Sequence, residues 1–478
     1  MTNNDWIMQK TFTFHYSSTR MESYKQYARE AGILEGQVMV GQNIMRNLIV
    51  QTPSKPGNLG KVATVIGANG GDIGDIKTLK VGTLSTIRDI TCTAEDMTVL
   101  DAIVKGINAL GNGIEVRAVS DDVLKAHEGG KIHMTSRIDL HSIEDLRRVY
   151  TPGVASVCQE IQRSPEKASY FTSIGNTVAI VTNGTAILGL GNIGPVAGMP
   201  VMEGKAVLFD QLAGISGVPI LLDTSDPDEV VETVKHISQG YGGILLEDIG
   251  SPHCFEIEER LKEALNIPVM HDDQHGTAVV TLAATISACR YAGVDIKDAV
   301  IGQIGLGAAG LAICRMLMAY GVEEVYGTDP QESAVMRLRQ YGGKVLNSVE
   351  EIMGQCDFVI ATTGVKGLID PSLVREGQVI LALSNPYPEI DPEEAVAAGA
   401  AYAADGRLVN NILGFPGIFR GALNANAKDI TYPMLVAAAE ALVECTRSGD
   451  LVPPPLDHNV HKIVAKAVER IALKEMNQ

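Results

Sequence analysis

Two pairs of acids stand directly behind apolar runs: Glu247-Asp248 after 243–246, and Asp272-Asp273 after 268–271. If those runs are parallel strands, their carboxyl ends face the functional crevice of an open α/β sheet. Like charges crowded at one edge repel unless a cation holds them. Hard carboxylate oxygens suit Mg²⁺ or Mn²⁺. The plainer reading makes Asp272 and Asp273 helix N-caps, and Glu247 and Asp248 solvated turn residues. Two pairs on neighbouring strands weigh against it. His271 and His275 could also bind a metal, but an isolated histidine is seldom a ligand.

The spacing G-x-G-x-x-G occurs twice, at Gly189-Leu-Gly191-Asn-Ile-Gly194 and at Gly305-Leu-Gly307-Ala308-Ala309-Gly310. Either alone could be a mere turn. A dinucleotide site needs strand, glycine turn and helix, because the pyrophosphate rests on the helix N-terminus. Pro195, Gly198 and Pro200 follow the first fingerprint, so no sustained helix is expected there. The second is followed by LAICRMLMAY, free of Gly and Pro, and then by a strand ending at Asp329. An acid at that distance is placed to bind the adenine ribose hydroxyls and would repel a 2′-phosphate. The second fingerprint therefore reads as an NAD site, although Arg337 and Arg339 lie close enough to bear on NADP.

The elements that must position these residues form two patterns. Residues 44–119 read as strand (44–51), helix (from about 59), strands (73–81 and 86–93), helix (about 96–110) and strand (114–119). That βαββαβ order is the split βαβ, ferredoxin-like plan. Its Pro56–Gly60 loop opens a helix whose N–H groups could receive a small carboxylate. From 140 onward strands at 178–182, 185–190, 219–223, 243–246 and 268–271 alternate with helices, which implies a mainly parallel sheet. A helix at about 283–298 precedes a fresh start, with strands at 299–304, 324–328, 358–362 and 379–382. Apolar residues at helical spacing mark a last helix at 457–476. Residues 1–36, with the lone Trp6, read as a polar tail.

The 478 residues carry 39 basic and 57 acidic side chains, a net charge of −18. Nucleic-acid binding needs basic stripes and is not expected. No apolar run approaches the roughly 18 residues of a membrane span, and the N-terminus lacks the layout of a secretion signal. Seven cysteines sit singly, which suits reduced thiols in a cytoplasm. The chain reads as a cytoplasmic α/β protein.

Tyr150-Thr-Pro-Gly-Val-Ala155, Gly189–Gly194, Gly198-Met-Pro200, Glu203-Gly-Lys205, Glu247-Asp248, Asp272-Asp273-Gln-His-Gly276-Thr277, Ser384-Asn385-Pro386 and Asn410-Asn411 occur in that order. As an ordered set they resemble the malic enzyme family, in its bacterial NAD-dependent form, from about 130 to the C-terminus. The 44–119 unit resembles an ACT-type regulatory domain. The resemblance implies oxidative decarboxylation of L-malate to pyruvate and CO₂, with NAD as oxidant and Mg²⁺ or Mn²⁺ as cofactor, and decarboxylation of oxaloacetate as well. It implies Lys205 as general base and Tyr150 as general acid. Glu247, Asp248 and Asp273 would be the metal ligands, with Asp272 beside them or in place of Asp273. Asn385 and Asn411 would hold malate, and Gly305, Gly307, Ala308, Ala309, Gly310 and Asp329 the dinucleotide.

The implied domains are 1–125 (tail and ACT-type unit), 126–285 (malate and metal, joined by a C-terminal helix in 446–478) and 286–445 (Rossmann). A homodimer or homotetramer is expected, with a small-molecule effector on the N-terminal unit. Larger members of the family carry a malate-binding arginine in a D-G-E-R run. Here that run is Asn183-Gly184-Thr185-Ala186, so the arginine is missing. A malolactic enzyme releasing lactate, or a metabolite sensor with a degenerate site, are the alternatives.

Overall fold

The computed structural model describes residues 44–187, 190–385, 387–406 and 409–477. The tail with Trp6, Gly189 of the first fingerprint and Pro386 lie outside them. The chain divides into two compact units between Glu128 and Gly129.

The first unit runs β1 (Ile44–Pro53), α1 (Asn58–Ala68), β2 (Asp72–Val81), β3 (Ser85–Ala94), α2 (Met97–Ala109) and β4 (Glu115–Ser120). Its antiparallel sheet has the order β2-β3-β1-β4. The helices bury one apolar stripe each, Val62 and Ile66 from α1 and Leu100, Ile103 and Ile107 from α2, against Leu48, Val50, Ile90 and Cys92. Asp96 caps α2 by accepting from the Val99 N–H at 2.8 Å.

The second unit holds two parallel sheets. The first comprises β5 (Thr177–Thr182), β6 (Ser216–Leu221), β7 (Gly243–Leu246) and β8 (Val269–His271), in the order β6-β5-β7-β8. Three of its helices matter for function: α3 (Pro195–Ala213), α4 (His253–Ala264) and α5 (Asp272–Ala292). The second sheet comprises β9 (Val300–Ile304), β10 (Glu324–Thr328), β11 (Lys344–Val345), β12 (Phe358–Ala361), β13 (Val379–Ala382) and β14 (Tyr402–Asp405). Its order, β11-β10-β9-β12-β13-β14, is the 3-2-1-4-5-6 winding of a dinucleotide-binding fold. Helix α6 (Ala308–Tyr320) follows β9.

One core joins the two sheets. Val178, Leu245 and Met270 of the first and Ile301, Val325 and Leu381 of the second belong to it, with Val279, Leu282 and Ala283 of α5 between them. Helices α7 (Phe415–Ala425), α8 (Tyr432–Cys445) and α9 (His458–Met476) complete this core. Phe209 of α3 meets Phe415 and Phe419 edge to face, at centroid distances of 4.9 and 5.5 Å. Among the described residues no helix is long and apolar enough to cross a membrane. Cys92, Cys254, Cys289, Cys314 and Cys356 are buried and Cys158 is exposed. Burial pushes the thiols of Cys254, Cys289, Cys314 and Cys356 up to about 12.

Three expectations need correction. The stretch after the first fingerprint is a 19-residue helix, α3, with Pro200 inside it. Pro195 lies in its first turn, where a missing N–H costs nothing. An interior proline costs about 3 kcal/mol, and tertiary packing outweighs it: Met202, Ala206, Phe209 and Leu212 are all buried. The expected strand at 185–190 is, where described, a turn with one bridge between Ile187 and Gly191. Gly184, at φ 69°, folds the chain back so that the N–H of Gly194 reaches its carbonyl at 3.2 Å. The helix expected from about 283 begins at Asp272. Strands β11 and β14 were not anticipated, being too short or too alanine-rich to read as apolar runs.

Candidate active site

Strands β7 and β8 are parallel neighbours, so both acid pairs leave the sheet at one edge. Asp248 takes a left-handed φ of 53°, uncommon for a residue with a side chain. Its N–H donates to Asp273 Oδ2 at 3.0 Å. One oxygen each of Glu247, Asp248 and Asp273 lies within 4.8 Å of the other two.

Lys205 enters this cluster from α3. Its Nζ lies 3.0 Å from Glu247 Oε1 and donates to Asp272 Oδ2. Lysine, glutamate and aspartate are all buried. Burial opposes the lysine's charge, but Asp272 and Glu247 outweigh it and hold its pKa above the ordinary range. Burial pushes Glu247 well above the usual carboxylate range; Lys205 opposes this and the neighbouring aspartates add to it. Asp272 is raised too, with burial again leading. One lysine therefore faces three carboxylates, those of Asp272, Glu247 and Asp273.

The residues present fit a divalent cation. Glu247 Oε2 and Asp272 Oδ1 are buried with no hydrogen-bond partner among the described residues, a cost of about 1–3 kcal/mol each. Glu247, Asp248 and Asp273 offer only hard oxygen donors, the set that Mg²⁺ and Mn²⁺ take. Asp272 is held by Lys205 beside them. Gly276 makes room for it, since a Cβ there would overlap Asp272 Oδ1.

Sequence reading missed what lies behind this turn. Glu258 of α4 is buried, and its carboxylate accepts from the His271 N–H at 3.0 Å and Gln274 Nε2 at 3.2 Å. His275 Nε2 lies 2.9 Å from it. Burial alone would raise its pKa, but His275 outweighs this and holds it at about 2. A signal existed: Glu258 sits on the apolar stripe of Cys254, Ile257 and Leu261. His275 is thus tied to an acid, and His271 Nε2 lies 3.6 Å from Asp273 Oδ2.

At the second sheet, Gly305 turns the chain at φ 88° and Ala308 and Ala309 open α6. A Cβ at Gly310 would overlap the Gly305 carbonyl oxygen, whereas at Gly307 nothing lies within 4 Å. The first glycine pair closes the turn; Gly307 leaves space for a ligand. Asp329 follows β10, and its carboxylate accepts from the N–H groups of Leu306 and Gln331, each at 2.8 Å.

Asn411 lies against Gly276, close to Asp272. Asn385 Nδ2 donates to the Gly406 carbonyl at 3.2 Å. Tyr150 is not gathered in. It follows the helix Ile143–Val149, is 66% exposed, and its hydroxyl bonds to no described residue. Ile138, Leu140, Ile143, Tyr170 and Phe171 nearby in sequence are exposed as well.

A 3-2-1-4-5-6 sheet with an open glycine turn, joined through one core to a carboxylate edge fitted for a divalent cation, makes this a dinucleotide-dependent, metal-assisted dehydrogenase. Residues 128–262 match the family model "Malic enzyme, N-terminal domain", and 266–367 match "D-isomer specific 2-hydroxyacid dehydrogenase, NAD binding domain". NAD-dependent malic enzyme 1 of Bacillus subtilis is 68% identical over 435 residues, 91% of this chain and 99% of that protein. The bifunctional malic/malolactic enzyme of the same organism is 41% identical over 75% of this chain and 94% of its own. The crystal structure of malic enzyme from Pyrococcus horikoshii superposes with a TM-score of 0.71 at 40% identity, over 74% of this chain and 90% of that one. The chain belongs to the malic enzyme family.

Lys205→Ala removes the cationic side chain paired with Glu247 and Asp272 among the described residues. The metal-free variant is expected to lose about 3–5 kcal/mol of stability, read by urea unfolding. Mn²⁺ should raise its Tm more than it raises that of the wild type; an equal shift in both would show that lysine and metal answer different charges.

Gly307→Ala is expected to keep the wild-type Tm but weaken NAD⁺ binding about tenfold, roughly 1.4 kcal/mol by calorimetry. Gly310→Ala should destabilise the protein itself by about 1–3 kcal/mol. Reversed effects would exchange the two glycines' roles.

Proposed function

We propose that the chain is an NAD-dependent malic enzyme whose catalytic lysine is Lys205. The activity is oxidative decarboxylation of L-malate to pyruvate and CO₂, with NAD as oxidant and Mg²⁺ or Mn²⁺ required. The observation that carries the site assignment is the contact of Lys205 with acids from two strand ends, Glu247 and Asp272.

In this reading Glu247, Asp248 and Asp273 hold the cation, Asn385 and Asn411 hold malate's carboxylates, and Gly305, Gly307, Ala308, Ala309 and Gly310 receive the pyrophosphate. Asp329 takes the adenine ribose. When held by these residues, NAD would supply a hydride acceptor and the cation Lewis-acid stabilisation of negative charge on the substrate oxygen. Lys205 takes up the proton of the C2 hydroxyl. A lysine kept charged by two carboxylates cannot do so; it becomes a base once their charge is neutralised. Tyr150 gives the proton that C3 needs after CO₂ leaves.

Tyr150 is exposed in the single chain, among the exposed apolar residues of 138–171. Apolar surface of this kind marks an interaction site. We assign it to a second copy of the chain, whose Lys205 the tyrosine then serves. We also propose the division into 126–285 with 446–478, and 286–445, as malate and Rossmann parts. Residues 1–125, whose 44–119 stretch has a core of its own, are proposed as the tail and ACT-type regulatory unit for a small-molecule effector. The cytoplasm is the proposed setting.

With L-malate, NAD⁺ and Mn²⁺, NADH and pyruvate should appear in equal amounts; lactate without net NADH would instead mean a malolactic enzyme. Lys205→Ala and Tyr150→Phe should each lower kcat by about 10²–10⁴-fold. Mixed and reassociated one to one, they should recover about a quarter of wild-type activity, because half the dimers carry one intact site of two. No recovery would place both residues in one chain.

A further inference from the structure

We propose that Glu258 is a positioning residue that fixes the metal-binding turn from behind. The inference rests on the metal site proposed above.

Helix α5 begins at Asp272, directly on leaving β8, with no intervening loop. The first N–H groups of a helix need partners from outside it. The residue before it, His271, supplies no side-chain cap, and the first two side chains, Asp272 and Asp273, are committed to the acid cluster. Glu258 holds this start from behind, through one backbone N–H and two side chains. Its Oε1 accepts from the His271 N–H at 3.0 Å, and its Oε2 from Gln274 Nε2 at 3.2 Å. His275 Nε2 lies 2.9 Å from the same Oε2.

These contacts bracket the two aspartates, one residue before them and two after. The far side of the same turn faces Lys205 and Asp248. The turn is therefore gripped from both sides, and among the described residues Glu258 makes the hydrogen bonds to it from α4. The His275 ring stands edge-on to Tyr432 at a centroid distance of 6.1 Å, which limits how far it can follow if the acid is lost. Loss of Glu258 should let the turn drift and misplace Asp273 relative to Glu247 and Asp248.

Residues behind metal ligands are worth about 10–100-fold in metal affinity. Mn²⁺ binding is followed by the EPR signal of free Mn²⁺, and NAD⁺ binding separately by calorimetry, in the wild type, Glu258→Gln and Asp273→Asn. Glu258→Gln is expected to weaken Mn²⁺ binding in that range with NAD⁺ affinity retained. Its KM for Mn²⁺ should rise while kcat recovers at saturating metal. Unchanged Mn²⁺ affinity, or an equal loss for NAD⁺, overturns the proposal. If Asp273→Asn binds Mn²⁺ like the wild type, the metal site itself is misassigned and the inference falls with it. Should Glu258→Gln fail to fold, His275→Gln removes one contact only. It should weaken Mn²⁺ binding while sparing NAD⁺, and an unchanged Mn²⁺ affinity in it overturns the proposal equally.

Discussion

A buried ion pair between Lys205 and the acids of two strand ends governs this molecule. Carboxylates driven into an apolar interior would take up protons, because burial disfavours their charge. Here Glu247 and Asp272 are buried and raised by that burial, and a cation beside them favours their ionised form. The lysine supplies part of that charge, and two orphaned carboxylate oxygens mark where more is wanted. Such a cluster is poorly stable by itself. Its retention in the middle of a well-packed core is the mark of a site shaped for a further positive charge.

The rest of the fold reads as a means of presenting that pair. Lys205 lies inside a long helix that tolerates an interior proline, anchored by the Phe209, Phe415 and Phe419 cluster. The acids come from adjacent parallel strands, so their relative height is set by backbone register rather than by loops. Helix α5 starts at the acids and then runs through the core shared with the dinucleotide sheet. From Ala278 onward the helix is thereby fixed by apolar packing, and its first turn depends on polar contacts.

Much of this was legible in the sequence, and for identifiable reasons. The acids follow short apolar runs, and the second glycine fingerprint lies between a strand and an uninterrupted helix; both are local patterns. Helix α3 was misread because proline spacing reports the local penalty and not the packing that overrides it. Glu258 was passed over: its place on an apolar stripe hinted at burial, but its partners lie 13 to 17 residues away. Tyr150 was singled out through the ordered motif set alone; nothing in the single chain gathers it to Lys205.

The seven cysteines bear on how the protein withstands oxidants. A thiol must be ionised to react, and at a pKa of about 12 the ionised fraction near neutrality is vanishingly small. Cys254, Cys289, Cys314 and Cys356 are silenced in this way, three of them on α4, α5 and α6, the helices at the catalytic sheet edge and the nucleotide turn. Cys158 stands apart on an exposed helix only a few residues beyond Tyr150. Peroxide or an alkylating dye would meet that sulfur well before the deeply buried ones. In the unpaired chain that sulfur is open; where a second copy covers the surface around the tyrosine it is shielded, and the redox-insulated interior is unaffected.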